Sequence, residues 1–167
     1  MRIFCSKFEG FGDVILNVVA DETHIQSIST NFVDGLPNAL TKAAISQLEE
    51  YLAGDRRVFD LPLNMHQGTE FQRKVWNHLL TISYGEHRTY TQIAEHFGSK
   101  SMMRAVAAAI ARTPIPILIP CHRVIGKNAD MVGYIFGIDI KRNLLTLESQ
   151  GSSCKQQFGL FNQRTWI

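Results

Sequence analysis

An α+β fold follows from the order of patterns in this 167-residue sequence: a small N-terminal α/β domain, then a mainly helical domain with a helix-turn-helix. Three observations predict it. β-rich runs are confined to the stretch before Thr30, helical periodicity with capping residues dominates from Thr69 onward, and two short helical stretches there flank a glycine-containing turn. The domain boundary falls between residues 67 and 68, with 1–67 holding the α/β domain and its linker, and 68–167 the helical domain.

Met1 to Phe8, Val14 to Ala20 and Ile25 to Ser29 read as strands separated by Gly or acidic turns. From Ala39 to Leu52, Leu40, Ala43, Ala44, Leu48 and Leu52 recur at helical spacing, with Asn38 as cap and Gly54 as stop. Asp55 to Gln67 contains Pro62 and no period, and is read as a linker. Thr69-Glu70-Phe71-Gln72 is a capping box that opens a helix whose apolar face is Phe71, Val75, Trp76, Leu79 and Leu80, before Tyr84-Gly85 breaks it. Thr89-Tyr90-Thr91-Gln92 is a second box, opening a short helix with Ile93, Ala94 and Phe97 inward and Gly98 as its stop. Ser101 is read as the cap of a third helix, Met102 to about Arg112, ended by Thr113-Pro114. These last two helices match the helix-turn-helix pattern, which also occurs in plain bundles. Gly126 to Gly137 is loop-like, and Asp139 caps a final helix carrying Ile140, Leu144, Leu145 and Leu147, ending near Gly151. In the tail, Phe158, Phe161 and Trp166 imply packing of some kind.

Hydrophobic residues make up 45% and charged residues 19%, a globular composition. The apolar runs are too short to span a bilayer and the first residues lack a secretory signal, so a soluble cytoplasmic protein without membrane contact is expected. Cys5, Cys121 and Cys154 are odd in number and widely spread, which argues against a disulfide framework and offers no metal pair. No metal and no cofactor are expected. Residues 1–60 carry nine acids against five Lys/Arg, whereas residues 61–167 carry six acids against twelve. Phe97 to Ala129 holds Lys100, Arg104, Arg112, Arg123 and Lys127 with no acid, a field that attracts phosphates unless it is simply a solvated face.

The chemistry concentrates at Ile115-Pro116-Ile117-Leu118-Ile119-Pro120-Cys121-His122-Arg123-Val124. A histidine and an arginine beside Cys121, with no nearby acid, favour the nucleophilic thiolate. The residues alone leave a second reading open, a buried and inert thiol. In an extended strand Cys121 and His122 would face opposite ways, so a turn or a bridging water is needed to join them. Glu148 is a candidate to orient the imidazole, although spacing alone favours a helix-surface carboxylate. Arg104 and Tyr90 are open in the same way. The run of Ala105, Ala107, Ala108, Ala109 and Ala111 fits close approach to a flat surface as well as tight helix packing.

Pro120-Cys121-His122-Arg123-Val124 resembles the active-site motif of the O6-alkylguanine-DNA alkyltransferases, the methylated-DNA–protein-cysteine methyltransferases. The likeness runs from about Gly68 to Glu148 through Phe71-Gln72-Arg73-Lys74-Val75-Trp76, Tyr84-Gly85-Glu86, Thr89-Tyr90, Gln92-Ile93-Ala94, Arg104-Ala105-Val106, Pro114 to Ile119, Gly133-Tyr134 and Lys141-Arg142. Residues 1–67 resemble that family's variable N-terminal domain only loosely. The resemblance implies a monomeric repair protein that acts on O6-alkylguanine in double-stranded DNA and moves the alkyl group irreversibly to Cys121, once per molecule. It implies that His122 takes the thiol proton through a water and that Glu148 holds the imidazole. It places Tyr90, Val124, Tyr134, Ile135 and Lys141 around the flipped base. Tyr90, Thr91, Ser99, Arg104 and Lys127 would contact DNA, with Arg104 filling the gap left by the base and Tyr90 pushing on the target nucleotide.

Three departures stand out. Thr113 replaces the family's usual hinge asparagine, and a single hydroxyl lacks the amide's two-ended bonding. After Tyr134 the family usually has a small residue and Gly-Gly, whereas this chain reads Ile135-Phe136-Gly137. A narrower pocket rim at Ile135-Phe136 is therefore expected, unless Phe136 turns away to pack. Cys5 lacks the partner cysteine of the zinc site found in some members. The competing readings are an alkyltransferase-like protein that binds damage without transfer, a thiol-sensing transcription factor and a cysteine hydrolase. The first usually carries tryptophan at the Cys121 position, the second needs a dimerisation element, and the third needs an oxyanion hole.

Overall fold

The computed structural model describes residues 2–151. The described chain forms two compact units, one made of residues 2–63 and 146–151 and the other of residues 64–145. No helix among the described residues is long and apolar enough to cross a membrane. The tail residues Phe158, Phe161 and Trp166 lie outside the described residues.

In the first unit β1 (Phe4–Phe11), β2 (Val14–Ala20) and β3 (Ile25–Ser29) form an antiparallel sheet in the order β1-β2-β3. Register runs from Phe4 opposite Ala20 to Phe8 opposite Leu16, with a bulge before Phe11 opposite Val14. Alternation sends Phe8, Leu16, Val18, Ala20 and Ile28 into the core, where α1 (Ala39–Leu52) adds Ala44, Leu48, Tyr51 and Leu52. Asn38 caps α1 and, with Thr41, completes a reciprocal box. The linker is not free of structure, because Leu63 bridges Ile25 in parallel and the Ile25 N–H donates to the Pro62 carbonyl at 2.8 Å. A two-residue bridge of this kind leaves no periodicity for a sequence to show.

The second unit contains α2 (Glu70–Leu79), α3 (Tyr90–His96) and α4 (Met103–Ile110), the last preceded by a 3₁₀ turn at Lys100–Met102. Thr69 and Thr89 form the two capping boxes read from the sequence. Gly98, at φ 125°, makes the turn of the helix-turn-helix. The cap before α4 is Ser99 rather than Ser101: its side chain accepts from the Ser101 N–H and starts the 3₁₀ turn. The buried Trp76 indole donates to the Ala109 carbonyl at 2.9 Å and ties α2 to α4. Two short strands escape sequence reading, β4 (Arg88–Thr89) and β5 (Val124–Ile125), which pair in parallel. α5 (Ile138–Gln150) starts one residue before Asp139, which sits in its first turn.

The ends of α2 and α3 meet through two imidazoles. His78 and His96 stack with ring centroids 3.9 Å apart at 19°, and Phe97 meets both edge-on. Burial holds the His78 pKa below its ordinary 6.5, helped by the His96 and Arg88 charges. A histidine whose folded pKa is depressed stabilises the fold above 6.5 and loses that contribution as pH falls through the lower folded value. Denaturant midpoints should therefore fall on acidification from about pH 6.5 downward, and His78→Phe should flatten this slope. A slope unchanged in the variant would exclude the stack as its source.

Candidate functional site

Cys121 sits in a 3₁₀ turn, Cys121–Arg123, held by the Arg123 N–H donating to the Pro120 carbonyl at 3.0 Å. The turn is one of the two ways of joining Cys121 to His122 that the sequence left open, and it removes the strand alternation that would have parted them. Cys121 is 4% exposed and His122 fully buried.

The electrostatics correct one sequence expectation. The flanking basic residues do not make Cys121 a resting thiolate: burial pushes its pKa up to about 11. Hydrogen bonds from the Thr113 side chain and the Ile117 backbone, the Lys141 charge and Cys121's own backbone oppose that rise without cancelling it. At neutral pH only about one thiol in ten thousand is ionised, so the site needs a base. Arg123 is also not on the surface. It is 7% exposed, donates to the Ile82 carbonyl and lies 6.0 Å from the Tyr84 ring centre.

A cavity of about 790 Å³ opens onto Cys121. Of the residues expected at the site, Cys121, Tyr90, Thr91, Arg104, Lys127, Tyr134 and Ile135 line it. Val124, Ser99, Thr113, His122 and Lys141 do not. Val124 is buried in β5, and Ser99 caps the turn before α4. Lys141 is fully buried behind the lining loop, where its Nζ donates to the Val132 and Gly133 carbonyls at 2.8 and 3.3 Å. Desolvation draws its pKa down to about 8. Burial, and then the Cys121 charge, raise the pKa of Tyr90. Glu148 belongs to the first unit, where it is buried and accepts from the Tyr51 hydroxyl at 2.6 Å. The helix-surface reading of Glu148 therefore fails.

Several lining residues carried no legible signal, among them Met103, Ile110, Asp130 and Val132. The loop carrying Asp130 and Val132 closes because the Gly126 N–H donates to the Asp130 carbonyl at 2.7 Å, and a Cβ at Gly126 would stand 2.7 Å from Val132 and 2.9 Å from Asp130. Glycine is required there by close approach rather than by φ. Along α4 and the two residues after it, Arg104, Ala105, Ala108, Ala111 and Arg112 are exposed while Val106, Ala109 and Ile110 face inward, giving a shallow basic face.

The rim is split. Ile135 is 52% exposed and lines the cavity. Phe136 is 8% exposed, does not line it, and meets the Tyr134 ring edge-on at 5.7 Å. Tyr134 in turn meets His122 edge-on at 6.4 Å. Phe136 thus packs inward, and the narrowing expected of it falls to Ile135 alone.

Fold and site together define a helix-turn-helix protein whose buried cysteine opens onto a basic cleft. Comparisons agree with this. Residues 70–150 match the family model described as 6-O-methylguanine DNA methyltransferase, DNA binding domain. A methylated-DNA–protein-cysteine methyltransferase of Mycobacterium leprae is 45% identical over 141 residues, covering 83% of this chain and 82% of the relative. One from Methanosarcina acetivorans is 51% identical over 107 residues, 64% of this chain and 68% of the relative. The crystal structure of Mycobacterium tuberculosis OGT in complex with DNA matches with a TM-score of 0.80 at 34% identity, over 95% of this chain and 99% of that one. The chain belongs to the methylated-DNA–protein-cysteine methyltransferase family.

Because Phe136 is packed rather than presented, Phe136→Ala should cost about 3–5 kcal/mol of unfolding free energy. Denaturant unfolding measures this. A loss under 1 kcal/mol would mean that the ring is dispensable to packing.

Proposed function

We propose that this protein repairs DNA by direct damage reversal, moving the alkyl group of O6-alkylguanine from duplex DNA to Cys121 in a single irreversible event. The observation that carries it is a buried cysteine thiol at the back of a cleft lined by Tyr90 and Arg104, in a chain of this family. The Cys121 sulfur attacks the alkyl carbon, the carbon–oxygen bond breaks, and guanine leaves as the sulfur becomes a thioether. With a thiol pKa near 11, proton removal has to accompany attack, and His122 beside the cysteine is the base, through a water. Glu148 orients it. Tyr134 and Ile135 flank the base, and the Val124 backbone reads its amino group.

DNA is held by the exposed face of α4 and by Thr91, Ser99 and Lys127, mostly through phosphates, which suits damage at arbitrary sequence. Lys141 acts from behind the pocket: its two carbonyl bonds fix the loop at Val132–Gly133, and its charge favours the thiolate. The protein acts as a monomer in the cytoplasm, where it has access to DNA. No reaction step calls for a cofactor.

With excess O6-methylguanine duplex, intact-mass spectrometry should find one methyl group per protein, on the peptide containing Cys121. Cys121→Ser should bind DNA without gaining mass. Multiple turnovers, or a methyl group on Cys5, would refute the mechanism.

Arg104 is assigned to base extrusion, which costs a few kcal/mol. Arg104→Ala should therefore slow transfer from duplex by roughly tenfold or more beyond any effect on free O6-methylguanine base. Equal slowing of both substrates would remove Arg104 from that role.

A further inference from the structure

Glu148 lies in the last turn of α5, where three conditions work against a carboxylate. It is 4% exposed, the helix C-terminus presents the negative end of the backbone dipole, and that turn holds no basic residue. A charge so placed needs a donor. The Tyr51 hydroxyl supplies one, donating to Oε1 at 2.6 Å, within the range of charge-assisted O–H···O⁻ bonds.

Tyr51 stands outside the apolar periodicity read for its helix in the sequence, yet it is firmly held. With Ala44 and Leu48 it makes a fully buried stripe on α1, at the i, i+4, i+7 spacing of one helix face. Its carbonyl accepts from the Gly54 N–H at 3.0 Å as the helix ends. Its ring packs against Phe59, with centroids 5.1 Å apart at 46°. Packing alone would be met by phenylalanine, because a buried hydroxyl costs desolvation unless it is bonded. The bond to Glu148 joins residues 97 apart in sequence, both within the first unit.

We propose that Tyr51 is a positioning residue for the transfer reaction, holding the Glu148 carboxylate by Oε1 so that Glu148 orients His122. This rests on the proposed transfer to Cys121 and adds to it a side chain from the first unit, outside residues 70–150 that match the family model. Tyr51 keeps its own proton throughout. His122 takes the thiol proton, while the phenol only donates a hydrogen bond, which favours carboxylate over carboxylic acid and fixes where its oxygens lie. Without that donor the carboxylate regains rotational freedom, and the imidazole it orients loses its fixed direction.

Full-length wild type, Tyr51→Phe, Glu148→Gln, the double variant and Leu48→Val are compared. Tyr51→Phe removes one oxygen and keeps the ring against Phe59. Leu48→Val loosens the same buried stripe without touching a polar group, and serves as the packing control. Three quantities are read: the urea midpoint, the single-turnover rate of methyl transfer from O6-methylguanine duplex, and the rate at which iodoacetamide alkylates Cys121, followed on its peptide by mass spectrometry.

Tyr51→Phe should slow both reactions of Cys121 roughly tenfold. Leu48→Val should lower the urea midpoint and leave both rates at the wild-type value. Glu148→Gln should slow both reactions at least as much as Tyr51→Phe, and adding Tyr51→Phe to it should cost nothing further. That comparison holds even if Tyr51→Phe alone does not fold, since in the double variant no buried carboxylate loses its donor. A Tyr51→Phe protein that behaves as Leu48→Val does, with a lowered midpoint and unchanged rates, would reduce Tyr51 to packing and overturn the proposal. So would a double variant well slower than Glu148→Gln. Iodoacetamide needs no DNA, so slowed alkylation in Tyr51→Phe with no methyl transfer by wild type would uphold Tyr51 and refute the transfer reading instead.

Discussion

Everything at this site follows from taking the Cys121 sulfur out of water. Desolvation penalises the anion, and it is the largest influence on the thiol, raising its pKa to about 11 despite every favourable neighbour. Each surrounding feature offsets that penalty: the bond from strained Ile117, the Thr113 hydroxyl, and the buried Lys141 amine. The amine is itself shifted by burial, down to about 8. Two groups that dislike the same environment lean on each other, and the loop between them is held by the Lys141 bonds to Val132 and Gly133. The outcome is a thiol that rests protonated at neutral pH.

The parts of the fold that were legible are those in which local chemistry and tertiary packing agree. Asn38, Thr69 and Thr89 cap helices because their side chains satisfy amides three residues on, an interaction that needs nothing distant. Strands β2 and β3 match their β-rich runs to the residue because turn residues bound both, although burial along β2 is continuous from Leu16 to Ala20. What escaped was made by contacts distant in sequence. The pairing of Arg88–Thr89 with Val124–Ile125 joins residues 36 apart, and two-residue strands have no period to read. The cap before α4 was misplaced by two positions because Ser99 and Ser101 are chemically equal, and only the backbone angle of Ser99 (φ −164°) decides between them.

At the site, residue types were legible and roles less so. The Pro120–Val124 motif marked the nucleophile, but its ionisation state depended on burial, which flanking charges do not reveal. Arg123 counted as surface charge in the sequence and proved to be an internal donor to Ile82. Phe136 stood out as a departure in the motif and proved to be a strut for Tyr134, while Ile135 holds the exposed position. Apolar residues such as Val132 and Ile110 line the cavity without any pattern that distinguishes them from core. The left-handed backbone at Ile117 is the extreme case, because isoleucine is among the residues least expected there.

The exposed alanines of α4 and its C-cap have a further consequence. Ala105, Ala108 and Ala111 have no rotamers to freeze, so a surface built from them gives up almost no side-chain entropy when it is covered. Long polar side chains would each surrender on the order of 1.5–2 kcal/mol of freedom and would grip some base edges better than others. Methyl groups do neither. On a face whose charge comes from Arg104 and Arg112, the methyl groups between them are surface that can be covered at little entropic cost.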